Sequence, residues 1–336
     1  MTDKLRIGVL GTGRIGRMHA ELVHRQIGGA EVTRVFDVFA ASAEAVASDL
    51  GVAVAASASE LITAEDVDAV AICTSTDTHI DLLVDCAAAG KPVFMEKPLS
   101  LDLDELDRGL DAVKTAGIPL QIGFNRRFDR GHDAVRRAVM AGDVGEVQRI
   151  HITSRDPEPP PIEYVHVSGG IFRDMTIHDF DMARFVTGSE VVEVYAVGAV
   201  MVDPAIGEAG DLDTVVVVMT HDNGAITTID NSRQAIYGYD QRVEVFGSKG
   251  LVTSENHREH HAVFRGPEGS KGAAVPYFFL DRYIPSYLAE WEAFVADVGS
   301  GEMQVTGSDG RAPLVIGLAA LKSVAEKRPV QITEIG

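Results

Sequence analysis

Cysteine is nearly absent. The 336 residues hold two, Cys73 and Cys86, too few for a disulfide framework, so the fold must rest on its cores and a reducing cytoplasm is the expected compartment. Basic residues are also scarce: 30 Lys and Arg against 50 Asp and Glu give a formal charge of −20. That balance excludes a nucleic-acid partner, whose phosphates need clustered Lys and Arg. Long apolar runs are missing too. "VYAVGAVMV" and "VVVVM" fall far short of the roughly 20 residues that span a bilayer, and the opening "MTDKLRIGVLGTGRIG" turns glycine-rich before an apolar signal region develops. What is present is ordinary for a globular enzyme, with 46% hydrophobic and 24% charged residues and a length that favours two domains.

The first third alternates short apolar strands with helices. "LRIGVL", "EVTRVFD", "VDAVAIC", "PVFME" and "PLQIGF" read as strands, separated by helical stretches such as "RIGRMHAELVHRQ" and "LDELDRGLDAVKTAG". This is the pattern of a parallel sheet wound on both faces, and it predicts an N-terminal Rossmann domain over 1–123. The rhythm then changes. Long strand-like segments with "DNG" and "GSKG" hairpin signals, and two closing helices, predict an α/β domain over 124–336 with an open, largely antiparallel sheet.

"GVLGTGRIG" sets Gly11, Gly13 and Gly16 in the G-x-G-x-x-G spacing after a strand, with Arg14 and Ile15 opening the next helix. Each glycine has a reason: a tight turn, close approach of main chain to a pyrophosphate, and close helix–strand packing. Asp37, at the end of the second strand, is placed to accept hydrogen bonds from adenosine ribose hydroxyls. Val38, Phe39 and Ala40 follow it with no cation for a 2′-phosphate, so NAD is favoured over NADP. Thr74, Ser75 and Thr76 end the third strand, where their hydroxyls serve either a cofactor or the cap of the next helix; His79 has the same two readings. Glu96 ends the strand "PVFME" and is counted with the cofactor side. Lys97 follows it before Pro98, a Lys-Pro bond that offers a sharp turn and can be cis, from which an ammonium can reach a substrate oxygen.

Further on, "GGIFRDMTIHDFDMARF" (169–185) reads as one helix rich in charge. Taken together, GTGRIG, EKP, NRRFD and GG-x-x-x-D-x-x-x-H resemble the glucose-fructose oxidoreductase, inositol dehydrogenase and MocA family. "DMTIHDFDMARF" and "YGYDQR" are most similar to its myo-inositol 2-dehydrogenase branch. The resemblance runs over essentially the whole chain. It implies NAD-dependent oxidation of a ring hydroxyl of myo-inositol or a close polyol, a catalytic trio of Lys97, Asp174 and His178, and oligomers, commonly tetramers, built through the open sheet.

The chemistry agrees with that implication. Oxidising a secondary alcohol needs a base for the hydroxyl proton, and His178 is the natural one near neutral pH. Asp174, four residues earlier on the same predicted helix face, can orient the imidazole or bind a hydroxyl. Asn125 and Arg127 follow the last Rossmann strand and are expected to contact substrate, one of Arg126 and Arg127 facing solvent. Asp181 is read as a substrate contact or a solvated aspartate, and Asp179 and Arg184 as structural. Tyr237 resembles a position bordering substrate in inositol dehydrogenases, though by itself it reads as an ordinary sheet aromatic; Asp156 is a weaker candidate. "HREHH" (257–261) reads as a surface loop, and no metal is expected. The competing readings are a scyllo-inositol or sugar dehydrogenase, and a dinucleotide-sensing protein without a base.

Overall fold

The computed structural model describes residues 4–336. Its chain divides into two compact units. The first runs to Asn125 and takes in Pro285–Ala312. It begins with β1 (Leu5–Leu10), α1 (Arg14–Gln26), β2 (Ala30–Phe36), α2 (Ala40–Leu50), β3 (Ala53–Val54) and α3 (Ala58–Thr63). β4 (Ala69–Ile72), α4 (His79–Ala88), β5 (Val93–Glu96), α5 (Leu103–Ala116) and β6 (Leu120–Gly123) follow. The six strands pair in parallel in the order β3-β2-β1-β4-β5-β6. β4 and β5 are buried at every position, as strands with helices on both faces must be. The order reverses between β1 and β4, the point at which such sheets hold ligands beyond their carboxyl ends.

The second unit comprises Arg126–Ile284 and Pro313–Gly336. α6 (Arg130–Met140) leads to β7 (Val147–Arg155), then α7 (Ile162–Ser168), α8 (Ile171–Asp174), α9 (Ile177–Thr187), β8 (Val191–Ala199) and α10 (Pro204–Glu208). Next come β9 (Thr214–His221), β10 (Ile226–Ser232), β11 (Asp240–Gly247) and β12 (Leu251–Ser254), followed by a separate two-stranded ribbon of β13 (Val263–Gly266) and β14 (Gly269–Gly272). α11 (Phe279–Asp297), α12 (Gly307–Glu326) and β15 (Val330–Gln331) end the chain. The sheet order is β12-β11-β7-β10-β9-β8-β15. Only β7 and β10 pair in parallel; the remaining neighbours are antiparallel. β9, "TVVVVMTH", shows why one face is core: Val215, Val217 and Met219 are buried with Phe180, Val186 and Ile316, whereas Val216 and Val218 point outward and stay exposed.

Two expectations need correction. The single boundary at 123/124 misses an exchange, because residues 285–312 of the expected second domain pack in the first core. Trp291 and Phe294 are fully buried among Ile7, Val9 and Phe94, and the Phe94 and Trp291 rings stack at 4.3 Å. Each such side chain contributes roughly 2–3 kcal/mol of apolar burial, which fixes the segment there. The helix expected across 169–185 is also two helices. Met175 and Thr176 interrupt it: both are buried, and the Thr176 hydroxyl donates to Asn231 Oδ1 at 2.6 Å. Asp174 therefore closes α8 and His178 lies in the first turn of α9.

Candidate active site

In the first unit the β1–α1 loop is shaped by close main-chain contacts. Gly11 has φ +86°, and a Cβ on it would lie 2.6 Å from the Cys73 carbonyl oxygen. One on Gly16 would meet the Gly11 carbonyl oxygen at 2.0 Å, whereas one on Gly13 would find nothing within 4 Å. The open side at Gly13 is where α1 begins, with Arg14 exposed and Ile15 half-buried, so the N-terminus of the helix faces an anion's natural position. Asp37 braces this loop. Its Oδ2 accepts from Thr12 N at 2.6 Å and Thr12 Oγ1 at 3.1 Å, and Oδ1 accepts from Phe39 N at 2.9 Å. A carboxylate has about four acceptor positions, and these three bonds leave one for a ribose hydroxyl.

At the end of β4 the Thr74 and Thr78 hydroxyls meet at 2.7 Å. Ser75 is exposed, Thr76 half-buried, and the start of α4 has no side-chain cap. Two residues counted with the cofactor are committed elsewhere. His79 is 1% exposed, its Nδ1 2.9 Å from the Pro98 carbonyl oxygen and its Nε2 3.1 Å from that of Thr74. Burial lowers its pKa, and with a carbonyl oxygen against each ring nitrogen neither is left for a dinucleotide. Glu96 is buried at the end of β5 and binds His19 Nε2 and the Lys97 main-chain N–H. Lys97 itself is half-buried and joined to Pro98 by a cis bond. Asn125, 3% exposed, carries a buried Nδ2 that has no hydrogen-bond partner among the described residues.

In the second unit Asp174 is held from two sides: Tyr164 donates its hydroxyl to Oδ1 at 2.8 Å, and Arg233 Nη1 lies 3.3 Å from Oδ2. Arg233 is 1% exposed and its Nη2 reaches Asp211 Oδ2 at 3.3 Å. Asp211 Oδ1 in turn accepts from the first N–H of α8, that of Ile171, at 2.9 Å. The sequence does not announce Arg233 or Asp211, since their partners lie 59 and 40 residues away. Asp156 is half-buried past the end of β7. Burial and the neighbouring Asp174 carboxylate raise its pKa to about 6, against the pull of Arg233 and Arg126. His178 is half-buried between the fully buried Ile177 and Asp179.

The arginines depart from expectation. Neither faces solvent. Arg126, 6% exposed, donates to Asp179 Oδ1 at 2.8 Å and also reaches Ser154 and Tyr239. Burial raises the Asp179 carboxyl, and Arg126 and Asn231 counter that shift. Arg127 makes a two-pronged pair with Asp181, 2.9 Å from Nε to Oδ2 and 2.6 Å from Nη2 to Oδ1. Asp181 is 1% exposed, so it is neither solvated nor placed as a substrate contact, and the two candidates spend their charge on each other. Asp179 and Arg184 have the structural parts expected of them, Arg184 with Glu190 at 2.6 Å. Tyr237 is half exposed, donating to Asp240 at 2.6 Å and accepting from Arg155 at 2.9 Å. It lines a cavity of about 290 Å³ with Arg155, Asp230 and Gln234, whose lining does not include Asp174 or His178. Residues 257–261 lie in an exposed loop, and among the described residues no group of three or more His, Cys, Asp or Glu could hold a metal ion.

Comparison with known proteins decides the lineage. Residues 5–124 match the oxidoreductase family with an NAD-binding Rossmann fold, and residues 132–253 match the GFO/IDH/MocA C-terminal domain. The chain belongs to the GFO/IDH/MocA oxidoreductase family. Within that family it is 50% identical over 333 residues to a myo-inositol 2-dehydrogenase of Thermotoga maritima, covering 98% of this chain and 99% of that protein. A solved myo-inositol dehydrogenase from Corynebacterium glutamicum superposes with a TM-score of 0.93 at 36% identity, covering 98% of each chain. A scyllo-inositol dehydrogenase from Lactobacillus casei, solved with NAD(H) and scyllo-inositol, gives 0.92 at 27% identity over 98% of this chain and 100% of that one. NAD is the cofactor of this GFO/IDH/MocA oxidoreductase, and the open side of Gly13 and the acceptor position left on Asp37 fit it.

Proposed function

We propose that the chain oxidises the ring hydroxyl at C2 of myo-inositol to 2-keto-myo-inositol (scyllo-inosose). The full-length likeness to a protein named myo-inositol 2-dehydrogenase supports the substrate. The observation that carries the mechanism is Asp174, fixed as an acceptor by Tyr164 and Arg233 at the turn that leads into His178. NAD, when bound, supplies the acceptor for the hydride that leaves the carbinol carbon. His178 takes the hydroxyl proton as general base. Lys97 donates a hydrogen bond to the same oxygen, making the hydroxyl more acidic and stabilising negative charge as it develops. Asp174 binds a neighbouring ring hydroxyl or the charged imidazolium, and Asp156 offers a further acceptor for the polyol. Buried acceptors of this kind discriminate strongly against molecules that lack the hydroxyl.

Asp37 supports NAD over NADP, because a 2′-phosphate would bring charge of the same sign against its carboxylate and neither Val38 nor Phe39 can neutralise it. The outward face of the second sheet leaves Val197, Val216, Val218 and Ile226 between 38% and 47% exposed. That apolar face supports assembly of copies through it, as a tetramer, which light scattering would report. His178→Ala tests the mechanism: kcat should fall about 10²–10⁴-fold while NAD still binds. Unchanged turnover would remove His178 from the reaction. A panel of myo-inositol, scyllo-inositol and aldoses, followed as NADH absorbance, tests the substrate, and a higher kcat/KM on an aldose would reassign it.

A further inference from the structure

Beneath the strand ends of the first unit lies a buried chain of polar groups that the reaction above leaves unused. Trp291, the only tryptophan in the sequence, is fully buried. Its indole Nε1 donates to His19 Nδ1 at 2.9 Å. An indole nitrogen can only donate, so Nδ1 is an acceptor and the proton of the neutral ring sits on Nε2. Nε2 lies 2.8 Å from Glu96 Oε1, to which it therefore donates. The second oxygen, Oε2, accepts the main-chain N–H of Lys97 at 3.1 Å. Phe94 and Tyr287 meet the imidazole edge-on at 5.2 and 5.3 Å, so the ring is packed as well as bonded. Every donor meets an acceptor: the indole donates to the imidazole, the imidazole donates to one carboxylate oxygen, and the Lys97 amide donates to the other.

We propose that Trp291, His19 and Glu96 are positioning residues that hold the Lys97 main chain, and through it the ammonium, at the reacting oxygen. This rests on the role given to Lys97 above. It also accounts for a carboxylate at position 96: His19 and Lys97 both present N–H groups, and only a group with two acceptor oxygens satisfies both. Glu96→Gln is nearly isosteric yet turns one contact into N–H against N–H. Trp291→Phe keeps an aromatic ring for the stack on Phe94 and deletes the donor that sets the tautomer.

The test joins kinetics to a measurement that needs no turnover. With NAD and myo-inositol, Glu96→Gln should lower kcat about 10–100-fold, the scale of a small misplacement of a reacting group, with KM for NAD little changed. Trp291→Phe should lower it less. His19→Gln, whose amide supplies one donor and one acceptor, should recover part of the kcat that His19→Ala loses. Independently, ¹⁵N NMR of the His19 ring should show Nε2 carrying the proton in the parent, with that preference weakened in Trp291→Phe. A parent ring protonated at Nδ1, or Glu96→Gln folded with full kcat, would overturn the relay. Lys97→Met separates the two ideas. Full kcat in that variant would overturn the Lys97 role, and with it the purpose proposed for the relay, even if the tautomer is as stated.

Discussion

The cofactor loop of the first unit and the Asp174 region of the second are built by different means. Around Gly11, Gly13 and Gly16 the geometry is main chain against main chain, with Asp37 as the one side chain that ties the loop to a neighbouring strand. Around Asp174 and His178 the geometry is side chain against side chain. Arg126 with Asp179, Arg127 with Asp181, and Arg233 with Asp174 and Asp211 all draw on partners far away in the chain. A loop of the first kind is encoded by what is missing, since a Cβ has no room at Gly16. A network of the second kind is encoded by pairs, and it fails when half of a pair is removed.

If that contrast is right, the costliest change lies in the second unit. Arg126→Met leaves Asp179 fully buried beside Asn231 with no cation, and should cost about 3–5 kcal/mol in chemical denaturation, the usual penalty for breaking a buried pair. A loss under 1 kcal/mol would mean that Asn231 and Ser154 suffice. Gly13→Ala is the complementary probe. Because a Cβ there meets nothing within 4 Å, the melting temperature should hold while NAD affinity, followed by quenching of Trp291 fluorescence, falls roughly 10–100-fold as the methyl occupies the phosphate approach. Gly16→Ala should instead destabilise the protein outright, because its Cβ strikes the Gly11 carbonyl oxygen. Equal behaviour of the two variants would erase the distinction between the glycines.

The smallest effect concerns pH. Asp156 holds its proton up to about pH 6 in the fold, against an ordinary value of 3.8. The folded state binds the proton more tightly, so this contribution is fully present below about pH 4 and is lost as pH rises through about 6. Asp156→Asn should therefore match the parent near pH 4 and exceed it near pH 8 by less than about 3 kcal/mol, the full value of the shift for a group with no solvent screening. The same variant should lower kcat/KM for the polyol if Asp156 accepts one of its hydroxyls. A stability difference independent of pH would assign the effect to packing.

The same contrast explains what could be read before any coordinates. Gly11, Gly13, Gly16 and Asp37 sit within one β-α-β stretch, so spacing alone carried the loop, and the "DNG" between β9 and β10 carried that hairpin. Burial and pairing across tens of residues could not be read. Arg127 and Asp181 each looked like a ligand contact because their 54-residue separation hid the pair. Glu96 and His79 fell into the cofactor set by position at a strand or helix end, though their side chains turn into the interior. The break at Met175 and Thr176 left no mark in the helical periodicity, and the Thr176 contact there is with Asn231 on a distant strand. Likewise, nothing local marks residues 285–312 as returning to the first core; Trp291 does so by what it packs against.

Myo-inositol carrying deuterium at C2, incubated with the protein and NAD, tests the central claim most directly. Mass spectrometry of the reduced nicotinamide should find the deuterium there, formed together with an equal amount of the 2-keto product. Reduced nicotinamide without deuterium would place the oxidation at another carbon, and no reduction at all with myo-inositol would contradict the proposed activity.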